Sequence, residues 1–196
     1  IAEYDGEPNG LKIHKDGRIF LADHKRGLLI LDPNTGKIEP VLENANGVPF
    51  KGLNDLFFTP NGDIYFTDQG QTGLQDPTGR LFCYRSSGKL EKLLDNVPSP
   101  NGLVVAPGGE QIFLAVTRGN HVWRVLFTHE NKPTKVGVFI QLSGGVGPDG
   151  MAMDEAGNLV ICHFNMGSVW VFSSLGEPLY RIKSPAGLFT TNCAFG

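Results

Sequence analysis

Five residues with oxygen-bearing side chains recur at one place in a repeating sequence: Asn9, Asn54, Asn101, Asp149 and Asn192, at intervals of 45, 47, 48 and 43 residues. Carboxylate and carboxamide oxygens are hard ligands. One carboxylate among several amide carbonyls suits calcium, or another oxygen-preferring divalent ion. Such an ion polarises an ester carbonyl and stabilises the oxyanion that forms on attack. Asp149 is the one carboxylate at these lead positions and so the candidate catalytic residue, as ligand, as base toward water or as direct nucleophile. The residues leave those three roles open. Asn9, Asn101 and Asp149 are each followed by Gly, so turn dipeptides are the competing explanation. Asn54 is followed by Asp55, where that explanation is weaker.

The elements that must carry these residues are short strands. Residues 8–23 read PNGLKIHKDGRIFLAD, 53–68 LNDLFFTPNGDIYFTD, 100–116 PNGLVVAPGGEQIFLAV and 148–163 PDGMAMDEAGNLVICH. Each is a polar lead residue, an alternating apolar run, a Gly-containing turn and a second apolar run. The rest of each period holds two more apolar runs around a Gly- or Ser-rich turn, as in GLLILDPNTGKIEPVL. Helical periodicity is absent. Four strands per roughly 45 residues is the signature of a β-propeller blade. The pattern predicts an all-β propeller of the six-bladed type as a single domain, with blades near 8–52, 53–99, 100–147 and 148–190 and the start of another at 191–196. A sandwich gives no reason for such a period. The first strand of a blade lines the central channel, so Asn54, Asn101 and Asp149 are expected to converge there, with Asn9 and Asn192 on the same ring.

Six blades need roughly 270–290 residues at this period. The chain has 196, so it reads as an incomplete propeller, with sequence missing from both ends or the gap filled by a second copy. An open ring exposes two apolar blade faces, and a homo-oligomer is expected if the chain is whole. A net charge of −3 without a basic run argues against a nucleic-acid partner. No run approaches the roughly 18 apolar residues that cross a bilayer. Cys83, Cys162 and Cys193 are far apart, form no C-x-x-C, and read as three buried free thiols, which favours a reducing compartment such as the cytoplasm.

Four blocks, LNDLFFTPNGDIYFTD, SPNGLVVAPGGEQIFLAVT, GPDGMAMDEAGNLVICHFNMGSVWVF and TTNCAFG, resemble the senescence marker protein / gluconolactonase / luciferin-regenerating enzyme family. The similarity runs over nearly the whole chain. It implies a six-bladed propeller with a central divalent ion, most often calcium with zinc, magnesium or manganese as alternatives, and hydrolysis of a small lactone. It implies Asn101 and Asp149 as metal ligands and Asn54 as a ligand or a substrate contact. Two features depart from the family. Its first ligand is a Glu in an EGP-like motif one blade earlier; Glu3 and Glu7 lie too close to Asn9 to match it. Mammalian-type members carry an Arg two residues before the Asn of the ND pair, where this chain has Gly52. That aligns it with the bacterial drug-responsive lactonases, which can hold a second, structural calcium near TDQGQTGLQDPTG. Asp68, Thr72 and Asp76 are the candidates there, with plain loop polarity as the competing explanation.

His163 ends the second strand of its blade where two other blades have Asp23 and Asp68, and is expected to line the substrate pocket or to be a hydrogen-bonded framework histidine. His24 reads as an exposed loop residue; His14, His121 and His129 have no evident partner. Phe57, Phe58, Phe66, Trp123, Trp170 and Phe172 fall at strand alternation and are expected to pack between blades. No G-x-S-x-G motif is present, which argues against a serine hydrolase. Two other functions remain compatible: a non-catalytic propeller that binds or scaffolds, and a phosphotriesterase using the same oxygen cage.

Overall fold

A computed structural model describes residues 2–128 and 132–195; His129 lies outside them. The described residues form four consecutive four-stranded antiparallel sheets, each a blade with its strands in sequence order. The first comprises β1 (Pro8–Ile13), β2 (Ile19–Asp23), β3 (Gly27–Leu31) and β4 (Ile38–Leu42). A two-residue hairpin, β5 (Asn44–Ala45) and β6 (Val48–Pro49), leads to the second blade. That blade is β7 (Leu53–Phe58), β8 (Ile64–Asp68), β9 (Gly79–Tyr84) and β10 (Leu90–Val97). The third is β11 (Pro100–Val105), β12 (Gln111–Val116), β13 (His121–Phe127) and β14 (Pro133–Gln141), and the fourth β15 (Gly147–Met153), β16 (Leu159–Phe164), β17 (Ser168–Phe172) and β18 (Pro178–Lys183). A 3₁₀ turn at Thr117–Gly119 is the one helical element among the described residues, and none there is long and apolar enough to cross a membrane.

Strand alternation explains the packing. Successive side chains leave opposite faces, so a middle strand feeds two apolar layers at once. On β12, Phe113 and Ala115 pack with Met151, Leu159 and Ile161 of the fourth blade, while Ile112, Leu114 and Val116 pack with Leu81, Cys83 and Val97 of the second. A third layer joins Phe20, Ala22 and Leu28 to Leu53, Leu56, Phe66 and Phe82. The six aromatics singled out from the sequence all lie in these interblade layers. The outer flank of the first blade carries Leu21, Leu29 and Leu31 beneath Ala2 and Tyr4. Leu11 and Ile13 on that blade, and Tyr180, Ile182 and Phe189 on and after the fourth, remain exposed.

The inner strands β1, β7, β11 and β15 lie side by side. Their contact is so close that Gly is required. A Cβ on Gly102 would meet the Gly150 Cα at 2.8 Å and the Met151 nitrogen at 3.0 Å. Gly10 would similarly strike the Asp55 Cα at 2.7 Å, and Gly150 the Asn192 Cα at 2.8 Å. None of the three has a positive φ. The Asn-Gly and Asp-Gly pairs are therefore not turn dipeptides; their glycines let one blade's backbone pass the next. Hydrogen bonds lock this approach: Thr67 Oγ1 donates to the Asn101 carbonyl at 2.9 Å, and Thr117 Oγ1 to the Pro148 carbonyl at 2.8 Å.

A Gly102→Ala substitution should accordingly destabilise the protein by about 2 kcal/mol, because the obstructing atoms are backbone. Gly137, on an outer strand with open space around it, is the control. Gly137→Ala should stay within about 0.5 kcal/mol in urea unfolding.

Candidate functional site

In every blade the pairing of the inner strand with its neighbour breaks at the lead residue. The register shifts between Pro8 and Gly10, Leu53 and Leu56, Pro100 and Leu103, and Pro148 and Met151. Such bulges release a residue from the ladder and re-aim its side chain. Asn54 and Asn101 are each 6 % exposed, and Asp149 is half-buried. The Asn101 side chain favours the charged form of the Asp149 carboxyl. Asn54 Nδ2 donates to Gln69 Oε1 at 2.7 Å. Asn9 and Asn192 are exposed.

The sequence reading passed over Asp55 as a functional group. It stands where the other blades have Gly, and a carboxylate in place of a spacing-critical glycine was the available signal. Asp55 is 3 % exposed, takes the Leu56 N–H at 2.8 Å, and lies near enough to Asp149 for the two charges to act on each other. Burial pushes Asp55 up to about 6, against the pull of Lys12 and the Leu56 amide. Burial likewise pushes Asp149 up to about 7; the Asn101 side chain opposes this and the Asp55 charge adds to it.

Two carboxylates and two carboxamides make a donor set of hard oxygens, which fits calcium or a similar ion and does not fit a thiolate-seeking metal. Among the described residues, no three His, Cys, Asp or Glu side chains cluster to hold a metal. Carboxamides and bound water would have to complete the shell around Asp149.

The other expected site residues have hydrogen-bond partners within the protein. Asp68 accepts the Lys51 and Gly52 amides at 2.7 and 2.9 Å and the Arg80 Nε at 2.6 Å, so its carboxylate is saturated. The Thr72 hydroxyl donates to the Gln69 carbonyl at 2.6 Å and accepts the Ser99 amide at 3.1 Å. Asp76 is exposed and takes the Thr78 hydroxyl. Each of the three is hydrogen-bonded within its own loop. His163 is fully buried: Nε2 donates to the Gly144 carbonyl at 2.9 Å and Nδ1 accepts from Trp170 at 3.2 Å. Both nitrogens are taken, and the framework alternative holds over substrate contact. Asp23 does the equivalent job in the first blade, accepting the Lys25 and Arg26 amides and the Tyr4 hydroxyl.

Gly52 has φ +137°, and a Cβ there would overlap the His24 ring. No side chain fits at that position, and His24 is half-buried against it rather than free in a loop. Cys83 and Cys162 are buried, but Cys193 is only half-buried, its thiol donating to the Val160 carbonyl at 3.9 Å. A cleft of about 600 Å³ opens at the far end of the second and third blades, lined by Phe57, Tyr65, Val105 and Pro107. Its Asp63 and Arg85 pair with each other at 3.0 Å and leave it no free charge.

Both raised carboxyls hold protons in the folded state that the unfolded chain releases near pH 4. Stability from this pair is therefore full below pH 4 and lost as pH rises toward 7. In chelator-containing buffer, Asp149→Asn should raise the melting temperature at pH 8 by about 5 °C and leave it unchanged at pH 4, as followed by circular dichroism.

Residues 2–196 match the model of the SMP-30/gluconolactonase/LRE-like region. A gluconolactonase of Zymomonas mobilis is 30 % identical over 207 residues, covering 96 % of this chain and 57 % of its own length. The lactonase drp35 of Staphylococcus aureus is 25 % identical over 196 residues, covering 95 % and 59 %. This chain thus spans under three fifths of the length of both relatives. The crystal structure of a calcium-binding protein, regucalcin, from Agrobacterium tumefaciens superposes with a TM-score of 0.77 at 27 % identity, covering 93 % of this chain and 61 % of that one. The propeller architecture and the match along nearly every residue agree: the chain belongs to the SMP-30/gluconolactonase/LRE-like family.

Proposed function

We propose that the chain forms four blades of a six-bladed, metal-dependent lactone hydrolase, with Asn54, Asn101 and Asp149 holding a divalent cation at the channel. The observation that carries this is the shared break of the inner strands at those residues, with two desolvated carboxylates that the Lys12 ammonium offsets only in part. A cation relieves that repulsion, and calcium matches hard oxygens best, ahead of magnesium, manganese or zinc. The relatives named gluconolactonase and lactonase support a lactone as substrate, and the calcium-binding neighbour supports the ion.

When bound, the ion polarises the lactone carbonyl and stabilises negative charge on its oxygen. Asp149 is the least buried of the three lead residues, so it is the one that can meet water and substrate together. It takes the proton of the attacking water. Asn101 favours the charged form of the Asp149 carboxyl and so supports its part as base. Asn54 offers its carbonyl oxygen to the ion or to the substrate. Asp55 adds negative charge behind Asp149 and strengthens cation retention.

Asp149→Ala should lower kcat/KM for γ- and δ-lactones by at least about a thousandfold in a pH-stat assay. Chelation should abolish turnover, and added calcium should restore it. Unchanged hydrolysis by the variant sinks the proposal. Calcium-dependent thermal stabilisation without turnover of any lactone reduces it to a binding module.

A further inference from the structure

We infer that Gln69 is a positioning residue for Asn54: it holds the nitrogen of the Asn54 carboxamide, so that the oxygen is the atom left for the channel. Gln69 follows the last residue of β8, and all four of its polar groups are engaged. Its amide donates to the Gly52 carbonyl at 2.9 Å, and its carbonyl accepts the Thr72 hydroxyl at 2.6 Å. Its side-chain Oε1 accepts Asn54 Nδ2 at 2.7 Å, and its Nε2 donates to Ser99 Oγ at 2.8 Å.

Ser99 is itself tightly fixed. It is fully buried, adopts a left-handed backbone with φ +63°, and donates its amide to Thr72 Oγ1 at 3.1 Å. A non-glycine residue in that conformation is retained only where its surroundings dictate it. Ser99 lies two residues before Asn101, so the chain Asn54–Gln69–Ser99 ties one lead residue to the backbone approach of the next. No hydrogen bond is made to Asn54 Oδ1 among the described residues. A free amide can present either end to the channel; one whose nitrogen is held by an acceptor presents oxygen. A cation is bound only by that end. What the oxygen meets rests on the function proposed above; the orientation rests on the hydrogen bonds alone.

Two substitutions separate the acceptor from the rest of the side chain. Gln69→Leu removes both bonds. Gln69→Glu keeps an acceptor for Asn54 and can still take the Ser99 hydroxyl. Calcium is titrated calorimetrically into the wild type and both variants, with metal-free melting measured beside it. Gln69→Leu should weaken calcium binding about tenfold, as loss of an outer-shell partner does, with metal-free melting nearly unchanged. Gln69→Glu should bind within about threefold of wild type. Wild-type affinity in Gln69→Leu overturns the inference. So does an equal loss in both variants, or a large fall in metal-free melting in both, which marks a purely structural residue.

If the wild type binds no divalent ion, the metal reading fails, and the side-chain amide of Asn54 still decides the orientation. Its protons should be protected from exchange in the wild type and in Gln69→Glu and exposed in Gln69→Leu by ¹⁵N NMR. Equal exchange in all three overturns it.

Discussion

The channel end of this protein depends on how closely one inner strand passes the next. Gly10, Gly102 and Gly150 have no room for a methyl group, because the neighbouring blade's backbone fills it. That closeness brings lead residues from separate blades within reach of one another. It also explains why the ladder breaks there: a strand pulled toward its neighbour around the ring cannot keep full register with its partner within the blade. Thr67 and Thr117 bond the approach from the adjacent strand. The Asn101–Asp149 contact is thus a consequence of interblade spacing, and each blade alone supplies only one of its members.

A second constraint fixes the loops around the channel. In three blades a buried polar residue stands at the last or next-to-last position of the second strand, and its bonds tie down the connections at that end. Asp23 and Asp68 accept backbone amides; His163 reaches a carbonyl and an indole. The chemistry differs and the task is the same. Asp68 shows how demanding the task is, since its buried charge needs Arg80 beside it as well as two amides. Breaking a buried pair of that kind typically costs about 3–5 kcal/mol. Residues this committed to the frame spend most of their hydrogen-bonding capacity within the protein.

Much of this was legible in the sequence because the repeat is itself a physical unit. A period near 45 with alternating runs dictates four-stranded blades, and the lead Asn and Asp mark each inner strand. The aromatics were readable for the same reason. At Asp68, Thr72 and His163, type and position in the repeat do not reveal whether a polar side chain's bonds are already taken. Asp68 and Arg80 are 12 residues apart in sequence, and Ser99 and Thr72 are 27 apart. Gln69 escaped notice because nothing about a glutamine after a strand signals that both ends of its amide are used. Asp55 left a trace, as the one carboxylate in a column of glycines, but its meaning depends on the crossing strand that makes glycine necessary elsewhere.

The two ends of the second blade show what sets the channel end apart. At the far turn, Asp63 is held by the Ser86 amide at 2.9 Å and by Arg85, which also binds Glu91, so its carboxyl lies below the usual range despite partial burial. At the near end, Asp55 and Asp149 are desolvated and repel each other, and their carboxyls lie well above it. Arg85 shows that this chain can neutralise a buried carboxylate when structure alone is at stake. Lys12 and the Leu56 amide at Asp55, and Asn101 at Asp149, offset the desolvation of these two only in part, which opposes folding at neutral pH, and the apolar layers between blades must absorb that opposition. Such a conflict between local electrostatics and stability is expected where a charged ligand completes the structure. It separates Asp55 and Asp149 from the surface ion pairs among the described residues.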